Sequence, residues 1–250
     1  MEIKLHKELE IVKREKDIEL PEAIVQKIEM FWQKQVEENP HLFNGEVWSV
    51  TKFDELEDRI RLTIQRTNYA HYLYDERVGL EKDLACYNLN GGILLETLDK
   101  KYIVGEMDKT TSYSKGLQIP GGNLDQNDIK EDGTVDLIGN IARELKEELN
   151  LDLFDRSIIQ SYKMQYMELP EGRRHSYSPK LKGFLKMTSE EMKEYYEKYK
   201  LYLKETNQEV EFTKLHFIDK ENVIAELDAL DNPKRSYLRG LLYMDSKEEA

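Results

Sequence analysis

LIGNIARELKEELN, residues 137–150, is the stretch on which the reading of this chain turns. On a helix advancing about 100° per residue, Ile138, Ile141, Ala142, Leu145 and Leu149 fall within about ±60° of one direction. Glu144, Glu147 and Glu148 cluster on the roughly opposite side. Carboxylates at this spacing repel and weaken a helix by roughly a few tenths of a kcal/mol per pair. Two readings compete. One is a solvated acidic face. The other is a triad of hard oxygen donors for Mg²⁺ or Mn²⁺, whose charge would cancel the repulsion. Arg143 is placed to tie down a neighbouring carboxylate, and Asn150 follows the last turn, where a left-handed residue commonly ends a helix.

The rest of the composition narrows the setting. A chain of 250 residues suits one large domain, or a core domain with an added module. The hydrophobic fraction of 39% still allows a real core, and 35% charged residues give a heavily charged surface. A net charge of −13 argues against broad capture of nucleic acid. It leaves room for a small anionic substrate if metal ions or a local basic cluster mediate the contact. No apolar run approaches the roughly 18 residues of a membrane helix, and the first residues lack the apolar stretch of a signal peptide, so no membrane partner is expected. The single cysteine, Cys86, fits a reducing, cytoplasmic setting.

Working outward, Pro21 opens a helix with an apolar stripe through Ile24, Ile28 and Phe31, and Asn44-Gly45 marks a turn. EVWSVTKF (46–53) and RIRLTIQR (59–66) alternate as the two strands of a hairpin, and residues 68–85 read as mainly helical. From Asn88 the texture changes to strand, turn and strand, then LQIPGGNL (117–124), a short strand ending in a glycine turn. Residues 125–136 form a polar inserted loop ahead of the glutamate helix. A hairpin follows around PEGRRHSY (170–177), and Thr188 with Glu191 forms a capping box before a charged helix. A strand, EFTKLHFI (211–218), and two helical stretches complete the chain. The pattern predicts an α+β fold: an N-terminal helix and hairpin module over 1–86, and a core over 87–250 with an inserted helix near 189–205.

PGGNL after a strand, and then ARELKEELNL on a helix, resemble the box of the Nudix hydrolases, in which a glycine turn and a loop lead to a helix reading R-E-U-x-E-E-x-G-U, U being a bulky aliphatic residue. The similarity runs from about Asn88 to Asp219. It implies an α/β/α sandwich with a mixed sheet, and a metal-dependent pyrophosphohydrolase that cleaves a nucleoside diphosphate linked to a further group into a nucleoside monophosphate and a phosphorylated product. The sequence departs from the family twice. Twenty residues separate Gly122 from Arg143, more than the family uses, so its first glutamate, which supports the arginine, has only Glu131 as a weak counterpart. Asn150 also replaces a glycine, a mild change because Asn tolerates the left-handed conformation.

By the same resemblance, Glu144, Glu147 and Glu148 are metal ligands for Mg²⁺ or Mn²⁺, and Arg143 belongs to the catalytic set. One of these three glutamates, or a glutamate from a later loop, Glu209 or Glu211, would orient or deprotonate the water. Gly121 and Gly122 allow close backbone approach. Arg173, Arg174 and His175 form a basic hairpin tip placed to touch a distal phosphate or sugar. Tyr195, Tyr196, Tyr199 and Tyr202 make a stripe suited to packing, to a dimer contact or to stacking on a base. Trp32 and NPHLFNG (39–45) are similar to the leader of Nudix proteins acting on UDP-sugars; the substrate expected of the family is of UDP-sugar or ADP-ribose type, and exchange of N-terminal elements between two subunits would suit a homodimer. The alternative is a non-catalytic Nudix-like nucleotide sensor that regulates a partner.

Overall fold

The computed structural model describes every residue except 41, 110–112, 173–174 and 249–250. Its centre is a mixed sheet built from β6 (Gly92–Glu96), β7 (Lys101–Met107), β9 (Ile159–Glu168), β10 (Ser176–Leu185) and β11 (Phe212–Asp219). β10 runs parallel to β6 and antiparallel to β9, while β7 and β11 pair antiparallel. Side chains alternate across this sheet with the period of two that strands impose. Ile93, Leu95, Ile103 and Leu181 face one way, towards α3 (Leu137–Leu149) and α4 (Ser189–Glu205). Leu94, Tyr102, Val104 and Ile218 face the other way, towards α5 (Val223–Asp228) and α6 (Leu238–Ser246). Helices on both faces of a mixed sheet make the α+β sandwich that the sequence predicts.

The N-terminal segment adds strands to this frame. β3 (Glu46–Glu55) and β4 (Arg59–Asn68) form the expected antiparallel hairpin. α1 (Glu22–Glu38) begins directly after Pro21. Two strands went unread in the sequence. β1 (Glu2–Lys4) pairs antiparallel with β9, setting Ile3 opposite Met167, and β2 (Glu8–Lys13) runs parallel to β4. α2 (Tyr69–Arg77) is shorter than the helix expected over 68–85. The Asp75 carboxylate accepts bonds from the Leu80 and Cys86 amides at 2.8 and 3.0 Å, folding the chain back on itself once Gly79 adopts a φ of 91°. β5 (Asn88–Leu89) then joins the N-terminal strands to the first residues of β10.

The long segment between the glycine turn and α3 is not a free loop. It contains a 3-10 helix, Gln126–Asp128, closed by reciprocal bonds between Asp125 and Asp128, and Val12 bridges Thr134. α3 spans the predicted residues and ends on Asn150 at φ 57°. Its end is stitched to α4. The Tyr199 hydroxyl donates to the Glu147 carbonyl and the Tyr195 hydroxyl to the Asn150 carbonyl, both at 2.8 Å. Tyr196 is buried, its hydroxyl on the Phe212 carbonyl at 2.6 Å, while Tyr202 is exposed. Of the three uses open to this stripe, packing is the one that Tyr195, Tyr196 and Tyr199 serve.

A buried ionic cluster lies between the sheet and α6. Lys182 Nζ donates to Asp245 at 2.6 Å and to Glu96 at 2.9 Å, all three side chains being at most 2% exposed. Tyr102 and Tyr166 each donate a hydroxyl to Asp245 at 2.6 Å, and Lys220 reaches Glu96 at 3.1 Å. Among the described residues, no helix is long and apolar enough to cross a membrane.

Candidate active site

α3 presents its glutamates differently from an ideal wheel. Ile138, placed on the apolar face by sequence, is 38% exposed, and Leu137 is buried in its stead. Glu148, placed on the outer face, is only 4% exposed. The reason is the glycine turn after β8 (Leu117–Gln118), which lies over this side of the helix. The Gly121 amide donates to Glu148 Oε2 at 2.9 Å. Gly121 sits at φ 146°, and a Cβ there would strike the Gly91 carbonyl. A Cβ on Gly122 would collide with the Glu144 carboxyl. Gly121 therefore admits main chain where no side chain fits, while a side chain at Gly122 would have to displace the Glu144 carboxyl.

Four carboxylates meet at this point. Glu148 Oε1 is buried with no hydrogen-bond donor, and its carboxyl faces that of Glu211, which comes from the segment just before β11. Burial, and then the nearby charges of Glu211 and Glu144, push the Glu148 carboxyl well above the usual carboxylate range. Burial pushes Glu144 up to about 7 despite the adjacent Arg143, with Glu147 and Glu211 adding to the rise. Glu211 is raised as well, chiefly by burial of its carboxyl and also by Glu147 and Glu209. Glu147 is largely exposed, with a side chain 61% accessible. Glu209 and Glu211 are both exposed as residues, but the Glu211 carboxyl is the one that faces Glu148 and lines the cleft, so Glu211 is the later glutamate brought to the site.

Arg143 is braced from below. It bonds Glu144 at 2.7 Å and lies 3.4 Å from both Asp125 and Asp128. Asp128, buried, also takes a bond from the buried Asn140 at 2.9 Å. Asp128 thus fills the supporting role for which Glu131 was the sequence candidate. Glu131 is exposed in a turn, because the 3-10 helix returns the chain to Arg143 three residues earlier. Sequence gave no sign of this, as the supporting acid lies in a segment whose fold depends on its own caps.

Among the described residues, no group of three or more His, Cys, Asp or Glu side chains is already arranged to hold a metal ion. Glu144 is turned to Arg143, which also stands 3.6 Å from Glu147. The donor set nonetheless fits a hard divalent cation. All the groups are carboxylate oxygens, one buried oxygen lacks a donor, and every resolved pKa among them is raised by the charge of its neighbours as well as by burial.

From the glycine turn a cleft of about 520 Å³ runs towards α2. Its lining includes Gly121, Gly122 and Glu211 at one end, Tyr69 and Tyr72 on α2, and Arg235 and Tyr237 from the segment before α6. Asp75 and His175 also line it as a pair, His175 Nδ1 lying 2.6 Å from the buried Asp75. His175 was visible in sequence as part of the basic tip, but Asp75, one hundred residues away, was not. Arg173 and Arg174 lie outside the described residues.

No family model matches the chain, and no curated protein matches it. Solved structures with a related chain path are mostly Nudix hydrolases. A Deinococcus radiodurans protein is 12% identical over 80% of this chain and 98% of its own, with a TM-score of 0.47. A Nudix hydrolase from Nitrosomonas europaea is 13% identical over 64% of this chain and 90% of its own, with a TM-score of 0.37. A bifunctional NMN adenylyltransferase/ADP ribose pyrophosphatase from Francisella tularensis, complexed with AMP and a Mn ion, is 13% identical over 63% of this chain and 41% of its own, with a TM-score of 0.39. Likeness at this level describes the path of the chain and carries no chemistry.

Proposed function

We propose that this chain is a divalent-metal-dependent hydrolase of a phosphoanhydride bond, acting on a nucleoside diphosphate linked to a further group. The observation that carries this reading is the donorless Glu148 oxygen set against Glu211 beneath a glycine turn. Glu144, Glu147 and Glu148 would hold Mg²⁺ or Mn²⁺, with Glu211 beside them. When bound, the cation supplies neutralisation of the diphosphate and of the charge that develops on its oxygens.

The remaining steps belong to this chain's own groups. The Gly121 amide fixes the Glu148 carboxyl, and Arg143, braced by Asp125 and Asp128, fixes Glu144. Glu211, with its raised pKa, takes a proton from the attacking water. The water oxygen forms a bond to one phosphorus as the bridging P–O bond breaks, and the bridging oxygen leaves on the second phosphate. The products are a nucleoside monophosphate and a phosphorylated partner group. UDP-sugars and ADP-ribose are the substrates to try first.

The test is phosphate release, coupled to a phosphatase, from nucleotide sugars, ADP-ribose, dinucleotides and dNTPs with Mg²⁺ or Mn²⁺. Metal-dependent turnover of one group, lost in Glu147→Gln and Glu148→Gln, is expected. Near-wild-type rates in both variants would refute the mechanism. Silence across the panel, with nucleotides still raising the melting temperature, would favour the sensor.

A further inference from the structure

We propose that Arg235 docks the phosphoryl group that is not attacked, so that the segment ahead of α6 acts as a specificity element of the cleft. The inference rests on the hydrolase reading for its choice of a diphosphate ligand and stands on separate residues. Arg235 is half-buried in the cleft lining, over the Tyr113 ring at 4.2 Å, with its Nε on Gln118 Oε1 at 3.3 Å. Among the described residues it has no carboxylate partner, in a chain of net charge −13. Arg59, Arg61, Arg66, Arg143 and Arg239 pair with acids, while Arg14, Arg77 and Arg156, which likewise have no carboxylate partner among the described residues, are exposed, so Arg235 is set apart by its half-burial in the cleft. A partly buried guanidinium held only by an aromatic face and an amide keeps N–H donors in a planar fork, the geometry that matches phosphate.

The arginine is also fixed relative to the catalytic turn. The Leu117 amide donates to the Pro233 carbonyl at 2.7 Å, and the Arg235 amide donates to the Leu117 carbonyl at 3.0 Å. The Ile119 amide donates to the Tyr237 hydroxyl at 3.3 Å, and the Asn232 side chain donates to the Lys115 carbonyl at 3.0 Å. The segment 232–237 is thus sewn along residues 115–119, the run that leads directly into Gly121 and Gly122. A diphosphate with one phosphoryl at the carboxylates would extend along this run towards Arg235, its nucleoside towards Tyr69 and Tyr72, whose rings lie 5.7 Å apart on α2.

The test is calorimetric titration of the full chain with α,β-methylene ADP, α,β-methylene UDP and inorganic pyrophosphate in Mg²⁺. Arg235→Gln should weaken binding of the diphosphates by about 10- to 100-fold, with a melting temperature lowered by no more than about 4 °C, since only the Tyr113 contact and the Gln118 hydrogen bond are lost. Arg235→Lys should recover part of the affinity, because charge returns without the fork. Binding by Arg235→Gln within about twofold of wild type would overturn the proposal. So would equal failure of wild type and variant to bind any of the three probes. If Arg235→Gln loses binding while wild type cleaves no substrate, the docking role stands and the hydrolase reading falls.

Discussion

Replacing Lys182 by Met should be among the most damaging single changes in the chain, although it lies away from the glutamate cluster. The ammonium is 1% exposed between Asp245 at 2.6 Å and Glu96 at 2.9 Å. Removing one member of a buried ion pair typically costs about 3–5 kcal/mol, because the remaining charge keeps its desolvation penalty. Here the remaining acids retain support. Asp245 keeps two tyrosine hydroxyls, and Glu96 keeps Lys220 and Lys100, both at 3.1 Å. The lower end, about 3 kcal/mol, is therefore expected, corresponding to a fall of roughly 6–12 °C in melting temperature for a domain of this size. Urea unfolding at pH 7, with the slope m compared between the proteins, measures it. A loss below about 1 kcal/mol at unchanged m would refute the reasoning.

The same cluster fixes a pH dependence. Burial raises Asp245, but Lys182 and the two tyrosines outweigh it and leave the carboxyl below its usual range; Glu96 is lowered likewise against its own burial by Lys182, Lys100 and Lys220. Depressed acids contribute stability that is present above the unfolded pKa, about 4, and lost as pH falls through the folded value. Lys182, lowered because burial outweighs its acidic neighbours, costs stability while charged, a cost relieved as pH rises through its folded pKa. Wild type should therefore lose stability below about pH 4 more steeply than Lys182→Met.

Glu148→Gln should abolish turnover and, in metal-free buffer at a pH above the raised pKa of Glu148, raise the melting temperature, because there it removes a crowded buried charge. A fall in melting temperature under those conditions would argue against repulsion at the site. Gly122→Ala should displace only the flexible Glu144 carboxyl and cost activity with little stability, whereas Gly121→Ala meets backbone and should destabilise by more; guanidinium melts of the two distinguish these outcomes. Tyr195→Phe and Tyr199→Phe should each cost about 0.5–1.5 kcal/mol in thermal unfolding, the worth of an ordinary hydrogen bond.

What the sequence disclosed follows from the range of each signal. α3, its left-handed Asn150 and the Thr188–Glu191 capping box are local patterns of three to five residues, and each appears as read. The α+β class was legible in the order of strands and helices, and the mixed sheet was what the resemblance implied. β1 was hidden because EIK is short and its partner β9 comes only at Ile159–Glu168, while the charged residues of ELEIVK concealed β2 on an edge. Glu148 was read as an outer residue because helical periodicity knows nothing of the turn that covers it. Arg143 announced an ion pair, but its partner Asp128 depended on a 3-10 helix inside a segment that looked structureless. Arg235 and Asp75 owe their places to contacts across roughly a hundred residues, beyond the reach of any local pattern.

The tyrosine hydroxyls at the end of α3 have an electrostatic consequence. A helix carries about half a negative charge at its C-terminus, the end that disfavours acids, and Glu147 and Glu148 sit in that last turn. Hydroxyl dipoles from Tyr195 and Tyr199 point their positive ends at the Asn150 and Glu147 carbonyls and blunt that field. α4 therefore serves as a counter-dipole, lowering the electrostatic cost of assembling the acidic cluster before any cation arrives.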